Sequence, residues 1–382
     1  MTQTALVNDS VMAAALYMAL ELSKKTWKVG FSDGRKRRTV NVPGGDLERL
    51  YAEIGRAKEK LGLSAETPVY SCYEAGRDGF WLDRALQSAG IENRVVDPAS
   101  IEVSRQSKRA KTDGIDVEML LSKLRLHHHG ERVWKVVRVP DPQAEAGRCL
   151  HREIERLKKE RSAHVNRLKG LLMGHGVRLE KVILKDWTEQ VQRWRTWDGQ
   201  PLAADLQGAL LREGERLGLI EKQLAELESE RERRVREVGG SEDEAMAMIR
   251  QLRLLKGIGP VAAWVFVMEF FGWRRFRNGK QVGALAGLTG TPYDSGQSRR
   301  EQGISKAGNR RVRSLAVEIA WLWLRYQPES ALSQWFHERF GGAGKRHRRV
   351  GIVALARKLL VALWRYLDSG LVPHGAQFKP AI

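Results

Sequence analysis

The sequence predicts a mixed α/β domain at the N-terminus, then an α-helical coiled-coil arm, then a mostly α C-terminal domain with a helix-hairpin-helix. Three observations carry that prediction. Strand-like and helix-like segments alternate through the first third of the chain. Two long amphipathic stretches with near-heptad spacing fill the middle. A Gly-Ile-Gly-Pro turn separates two helical segments in the last third. The domain boundaries read as 12–142, 143–240 and 241–382.

Residues 12–22 and 27–33 read as the two strands of a hairpin, followed by the basic turn Gly34-Arg35-Lys36-Arg37-Arg38. Residues 39–42 continue as a third short strand. Leu47, Leu50 and Ile54 give residues 46–61 helical spacing, with Asp46 placed to cap the helix. A strand at 68–73, a helix at 79–89 and a strand at 92–96 complete the mixed sheet. In the middle region, apolar residues fall at 150, 154, 157, 165, 168 and 172, and then at Leu210, Leu217, Ile220, Leu224 and Leu227. Two helices with charged outer faces fit an antiparallel arm or a dimerisation element. Trp187, Trp194 and Trp197 mark its tip or a connecting helix, and Gly239-Gly240 begins a linker.

The last third opens with a helix at 243–255, the turn Lys256-Gly257-Ile258-Gly259-Pro260 and an apolar helix at 261–271. Backbone N–H groups of such a turn, around Gly257 and Gly259, can grip a phosphate; a plain interhelical turn is the other reading. Residues 287–309 read as a polar, Gly-rich loop leading into a helix that runs through Arg325. The basic cluster 345–349 heads a final amphipathic helix to Leu367 and is a phosphate-binding candidate.

The chain has 382 residues, 42% of them hydrophobic, enough for two or three cores. Sixty-six basic against 46 acidic residues give a formal charge of +20, which points to a polyanionic partner. Two cysteines, Cys72 and Cys149, make neither a disulfide framework nor a zinc cluster, as suits a reducing cytoplasm. The apolar run 11–20 lacks a basic leader and runs into Glu21, so it is not read as a signal peptide, and no stretch approaches a bilayer span. His127-His128-His129 reads as a solvated run at a helix C-terminus, and Trp264, Trp273, Trp321 and Trp323 as packing residues.

Four acids stand where chemistry is expected. Asp113 and Asp116, at i and i+3 of a helix start, share one face. Glu21 and Glu74 end strands, and strand-end acids of an α/β sheet converge on one edge. Four carboxylates there repel one another unless neutralised, and in a basic protein facing phosphates Mg²⁺, or Mn²⁺, is the natural counter-charge. In the loop, Ser295 precedes a glycine and is followed by Arg299 and Arg300; Ser305 is followed by Lys306, Arg310 and Arg313. A serine attacking a phosphodiester needs help in losing its proton and cations for the pentavalent state. A loop that only contacts phosphates is the alternative.

These motifs resemble the DEDD insertion-sequence transposases, recombinases guided by a bridge RNA. The resemblance lies in the four-acid order, the Lys-Thr-Asp-x-x-Asp block from Lys111, and the Leu-Lys-Gly-Ile-Gly-Pro turn. It lies above all in the Gly-Leu-Thr-Gly…Ser-Gly…Ile-Ser-Lys-x-Gly-Asn block, and it spans about 12–327. It implies a RuvC-like (RNase H-fold) N-terminal domain, a coiled-coil region, and a transposase domain whose serine becomes transiently joined to DNA beside a Mg²⁺-binding acidic site. By motif position the acids are Glu21, Glu74, Asp113 and Asp116, and the nucleophile is Ser295, with Ser305 second. Lys111, Gly257, Gly259, Arg299, Arg300, Lys306, Arg310 and Arg313 become the nucleic-acid contacts. The resemblance further implies DNA element ends and target as substrates and a bridge RNA; the helical arm and a reaction on several strands point to a homodimer or tetramer, and the cysteine usage to a cytoplasmic, nucleoid-associated protein.

The chain departs from the family at Glu21, where aspartate is usual; the extra methylene moves the carboxylate by roughly 1.5 Å. Asp33 is a weaker substitute. Two further readings compete: a metal-dependent, junction-resolving endonuclease that needs no serine, and a non-catalytic nucleic-acid-binding protein.

Overall fold

In the first strand, β1 (Leu16–Glu21), side chains alternate between two cores: Leu16, Met18 and Leu20 enter one, Tyr17 and Ala19 the other. A strand buried on both faces needs helices on both sides, and that requirement shapes the unit around it. The computed structural model describes residues 14–101, 113–237, 244–295 and 298–380, with side chains placed except at 113–115 and 292–302. The chain divides into two units, Met1–Pro140 and Asp141–Ile382.

In the first unit, β1 pairs antiparallel with β2 (Thr26–Ser32), which pairs antiparallel with β3 (Arg37–Pro43). After α1 (Leu47–Leu61), β4 (Val69–Glu74) joins the other edge of β1 in parallel. After α2 (Trp81–Ser88), β5 (Glu92–Val96) joins β4 in parallel, giving the order β3-β2-β1-β4-β5. The expected order of hairpin, helix, strand, helix, strand is found. Asp46 caps α1 by accepting the Arg49 N–H at 2.9 Å, and Gly62 closes it in the left-handed conformation. Leu50 and Ile54 of α1 and Leu82 and Leu86 of α2 fill the core on one face.

The other face belongs to α3 (Asp113–His128), through Val117, Leu120, Leu121 and Leu124. A Cβ at Gly30 would lie 2.4 Å from Val117, so only glycine lets α3 sit this close to β2. The His127–His129 run ends this helix: His128 Nδ1 lies 2.9 Å from the Tyr17 hydroxyl, and its ring packs 4.0 Å from that of Tyr70. Burial and the neighbouring His129 push the His128 pKa down.

The second unit opens with α4 (Pro142–Ala146), then the long α5 (Cys149–Met173). α6 (Trp187–Arg193) follows, then α7 (Ala204–Arg236). Lys158 pairs with Glu228 and His164 with Glu213, so α5 and α7 run antiparallel within the chain, the first of the two arrangements that their near-heptad spacing fits. Leu168 and Leu172 meet Leu210 and Leu217 toward the tip, where the Trp187 indole lies on Gly214. At the other end, Leu150, Ile154, Ile220 and Leu224 enter one continuous core with the helices that follow.

Those helices are α8 (Glu244–Arg253), α9 (Pro260–Phe266) and α10 (Gly279–Leu285), with a π-helical turn, Val267–Phe271, continuing α9. A hairpin of β6 (Gly290–Ser295) and β7 (Ser298–Ile304) comes next. The chain then forms α11 (Arg310–Tyr326), α12 (Ala331–Phe340) and α13 (Lys345–Ser369). Trp264 and Trp323 are buried in this core as expected, whereas Trp321 is exposed. Among the described helices none is long and apolar enough to cross a membrane.

Candidate functional site

Parallel pairing aligns the carboxyl ends of β1 and β4: Leu20 is opposite Tyr73, and Glu21 and Glu74 are the next residues along. By strand alternation both glutamates lie on the face of Tyr17, Ala19, Tyr70 and Cys72, the face that α3 covers. The end of α3 lies by Tyr17 through His128, while Val117 and Leu121 lie over Gly30, opposite Ala19. The start of α3, with Asp113 and Asp116, is therefore directed toward the sheet edge where Glu21 and Glu74 end. Glu21, Glu74 and Asp116 are half-buried.

The side chain of Asp113 and all of Lys111 lie outside the described residues. Among the described residues, no group of three His, Cys, Asp or Glu side chains is gathered closely enough to hold a metal ion. The donor chemistry of the four acids suits a hard divalent cation. Asp33 sits at the opposite end of the sheet, since Ser32 pairs with Tyr17, and its carboxylate accepts the N–H groups of Arg35 and Lys36. It is a turn residue.

The serine segment differs from the sequence expectation. A loop is predicted over residues 287–309, yet most of the segment is the β6–β7 hairpin. Charged and glycine residues in both strands hide the period-two apolar pattern that reveals a strand. Asp294 pairs with Arg299 and Tyr293 with Arg300, and the register breaks between Gly290 and Pro292, where proline has no N–H to give. Ser295 is the last residue of β6, paired with Ser298 across the hairpin tip. Ser305 is at the other end, exposed, donating its N–H to the Thr289 carbonyl at 2.8 Å. The seven-residue β7 separates the two serines by roughly 20 Å.

Two glycines set the base of this hairpin. Gly287 and Gly308 have φ of 68° and 98°, and a Cβ on either would lie 2.1 Å from a backbone carbonyl oxygen. Lys306 is exposed and also left-handed, with φ of 55°. Arg310 is exposed in the first turn of α11, where the helix dipole adds to its attraction for anions. Arg313 is tied down, donating to the Ala286 carbonyl.

The turn at 255–259 joins α8 to α9 through Gly257, whose φ is 84°, with Gly259 preceding Pro260. The Lys256 N–H donates to the Gln377 carbonyl, and Lys379 Nζ donates to the carbonyls of Arg253 and Ile258. Residues 377–379 thus brace the turn from outside.

Sequence reasoning missed Glu269. It lies in the π-helical turn, 1% exposed, and its carboxylate accepts from His151 Nε2 at 2.8 Å, Arg152 Nε at 2.8 Å and Nη2 at 3.0 Å, and Asn309 Nδ2 at 3.1 Å. Burial pushes this carboxyl up, but the hydrogen bonds and charge of His151 and Arg152 outweigh it and hold the group well below the usual carboxylate range. Asn309 spends its other side-chain atom on the α11 N-terminus, accepting from Arg311 and Val312. One buried carboxylate therefore ties α5, the π-turn and the end of the serine segment together. A lone Glu in the apolar run 261–271 was the available signal.

Residues 249–334 match the sequence profile of a family described as "Transposase IS116/IS110/IS902 family". A Sinorhizobium fredii (strain NBRC 101917 / NGR234) protein, "Putative transposase y4rJ", is 42% identical over 379 residues, covering 96% of this chain and 95% of that protein. The chain belongs to the IS116/IS110/IS902 transposase family. The "Transposase for insertion sequence element IS1328" of Yersinia enterocolitica is similar to this family member at 24% identity over 317 residues, 81% of this chain and 87% of that protein. The matched profile runs from α8 to α12 and so contains the π-turn with Glu269, the hairpin and Asn309.

Proposed function

We propose that this family member is an insertion-sequence transposase that cuts and rejoins DNA by phosphoryl transfer, with Ser295 as nucleophile. The observation that carries the reading is the hairpin: it holds Ser295 at a tip, on a base fixed by two obligatory glycines and the Glu269–Asn309 bond. Ser295 Oγ attacks phosphorus, the serine–phosphate bond forms as the strand's P–O bond breaks, and the departing oxygen takes a proton. A strand hydroxyl then attacks the serine-linked phosphate and releases the serine, which conserves the bond energy for rejoining. Lys306 and Arg310 supply positive charge to the phosphates near the base of the hairpin.

Glu21, Glu74, Asp113 and Asp116 would hold Mg²⁺, which when bound supplies charge stabilisation to the transferring phosphate. The shared sheet face and edge of Glu21 and Glu74, with the start of α3 directed toward that edge, support this assignment. The mixed sheet, a three-strand meander extended by two parallel strands and covered by helices on both faces, supports the RuvC-like reading of the first unit. A bridge RNA as guide, and a homodimer or tetramer, complete the proposal; the charge of +20 suits a protein that carries RNA and DNA together.

The test is a denaturation-resistant protein–DNA adduct on labelled element-end DNA with Mg²⁺ and RNA. Wild type forms it, Ser295→Ala does not, and Asp113→Ala reduces it strongly. An adduct that persists in Ser295→Ala removes Ser295 as nucleophile. Cutting that persists in Ser295→Ala but vanishes in Asp113→Ala replaces the proposal with a water-using, junction-resolving nuclease.

A further inference from the structure

A groove of about 1860 Å³ runs through the second unit, between the base of the β6–β7 hairpin and the length of α13. Its cations come from two sides. Lys280 and Lys306 stand on the α10 and hairpin side, and Arg346, Arg349, Arg357 and Arg365 on α13. Among the described residues that line it, none is acidic.

The α13 residues follow helical spacing: 346, 349, 353, 357, 361 and 365 lie along one stripe. Within that stripe arginines are interrupted by Val353 and Val361, and the exposed Val350 widens the apolar surface. From 345 to 365 the helix rises about 30 Å. The groove is therefore a long trough with an aliphatic floor and cationic walls.

We propose that this groove holds an unpaired DNA strand. The phosphates of such a strand meet the arginines and lysines, and its exposed bases lie against the aliphatic floor. A duplex offers its phosphates outward and stacks its bases inward, which would bring no base against the exposed Val350 and the half-buried Val353 and Val361. The choice of DNA rests on the transposase reading above. Gly290, Thr291, Gly303 and Ile304 line the groove at the base of the hairpin, a strand length of roughly 17 Å from Ser295 at its tip, so a cleaved strand held by that serine runs along the hairpin before it enters the groove.

The experiment is fluorescence anisotropy of the full-length protein with labelled dT20, a 20-bp duplex and rU20, from 0.1 to 1 M salt. Arg346, Arg349 and Arg365 are exposed, and replacing all three by Ala removes three phosphate contacts. The dT20 salt slope then falls by about 2, so affinity drops about 100-fold at 0.1 M salt and converges with wild type near 1 M. Val350→Ser with Val353→Ser weakens dT20 binding while leaving the salt slope and duplex binding unchanged. Removing three exposed arm cations, Lys159, Arg161 and Lys181, leaves the dT20 slope as in wild type.

Equal losses for duplex and dT20 in the arginine variant, or a loss confined to rU20, overturn the proposal. So does an arm variant as weak as the groove variant. Thermal midpoints of all variants within about 2 °C of wild type show that binding, not folding, was changed. The adduct assay separates the two levels: without a serine adduct but with the dT20 pattern intact, the groove stands and the nucleophile assignment falls. With a serine adduct but unaltered dT20 binding in the groove variants, the nucleophile assignment stands and the groove falls.

Discussion

Replacing Glu269 by Gln keeps the shape of the side chain and removes its charge. The carboxylate accepts four hydrogen bonds, two of them from Arg152. A glutamine offers one oxygen, and its NH₂ group turns a donor toward other donors. Hydrogen bonds to charged groups contribute about 1.5–3 kcal/mol each, and breaking a buried ion pair costs about 3–5 kcal/mol. The Arg152 side chain is 42% exposed, so it recovers part of its hydration, and the lower end, about 3 kcal/mol, is expected. For a unit of this size that lowers the apparent unfolding midpoint by about 6–12 °C.

The pH dependence has a definite sign. Because the folded-state pKa of Glu269 is depressed, its stabilisation is complete above the unfolded carboxylate value of about 4.3 and fades as pH falls below it. Calorimetry at pH 7 and pH 3.5 should therefore show the gap between wild type and Glu269→Gln narrowing in acid. A midpoint change under 2 °C at pH 7, or a gap that widens in acid, contradicts this account of the Glu269 network.

Other outcomes follow from single contacts. Gly287→Ala and Gly308→Ala each force a Cβ against a carbonyl oxygen at a left-handed φ, so adduct formation should fall at least tenfold; ordinary activity in both variants removes the steric argument. Gly214→Ala improves helix propensity by about 1 kcal/mol, yet its Cβ would lie 2.2 Å from the Trp187 indole nitrogen, which donates to the Leu210 carbonyl. A net loss of about 1–3 kcal/mol is expected from overpacking, read as a lower thermal midpoint. Cys149 is exposed while Cys72 is fully buried with its thiol pushed far up by desolvation, so native protein should take up one alkyl group quickly and a second only on unfolding, read by mass spectrometry.

The first unit was legible because its elements announce themselves locally: alternation in β1, Asp46 before a 3.6-period helix, and acids ending apolar strands. The arm was legible because leucines at 150, 157, 168, 172, 210, 217 and 224 repeat at helical spacing, and each of them is buried. The hairpin was hidden because its strands carry Pro292, Asp294, Arg299, Arg300 and Gly303, which break the apolar alternation that marks a strand in a sequence. Of the candidate site, strand ends and a helix start could be read as positions on one sheet edge. The Glu269 network could not, because its partners are 117 or 118 residues away on α5 and 40 residues away at Asn309. A groove built from α10, a hairpin and α13 depends likewise on tertiary placement, which spacing along one helix does not specify.

Those separations also set an order of events in making the protein. The carboxylate that joins α5 to Asn309 closes a loop of more than 150 residues, and such non-local closure comes late in folding. While the chain is being synthesised, the arm can zip by its own leucines, but its base cannot lock until residue 309 has emerged. The segment bearing Ser295 is thus secured only after Asn309 has joined Glu269, which leaves a translation product that stops short of residue 309 without a positioned serine.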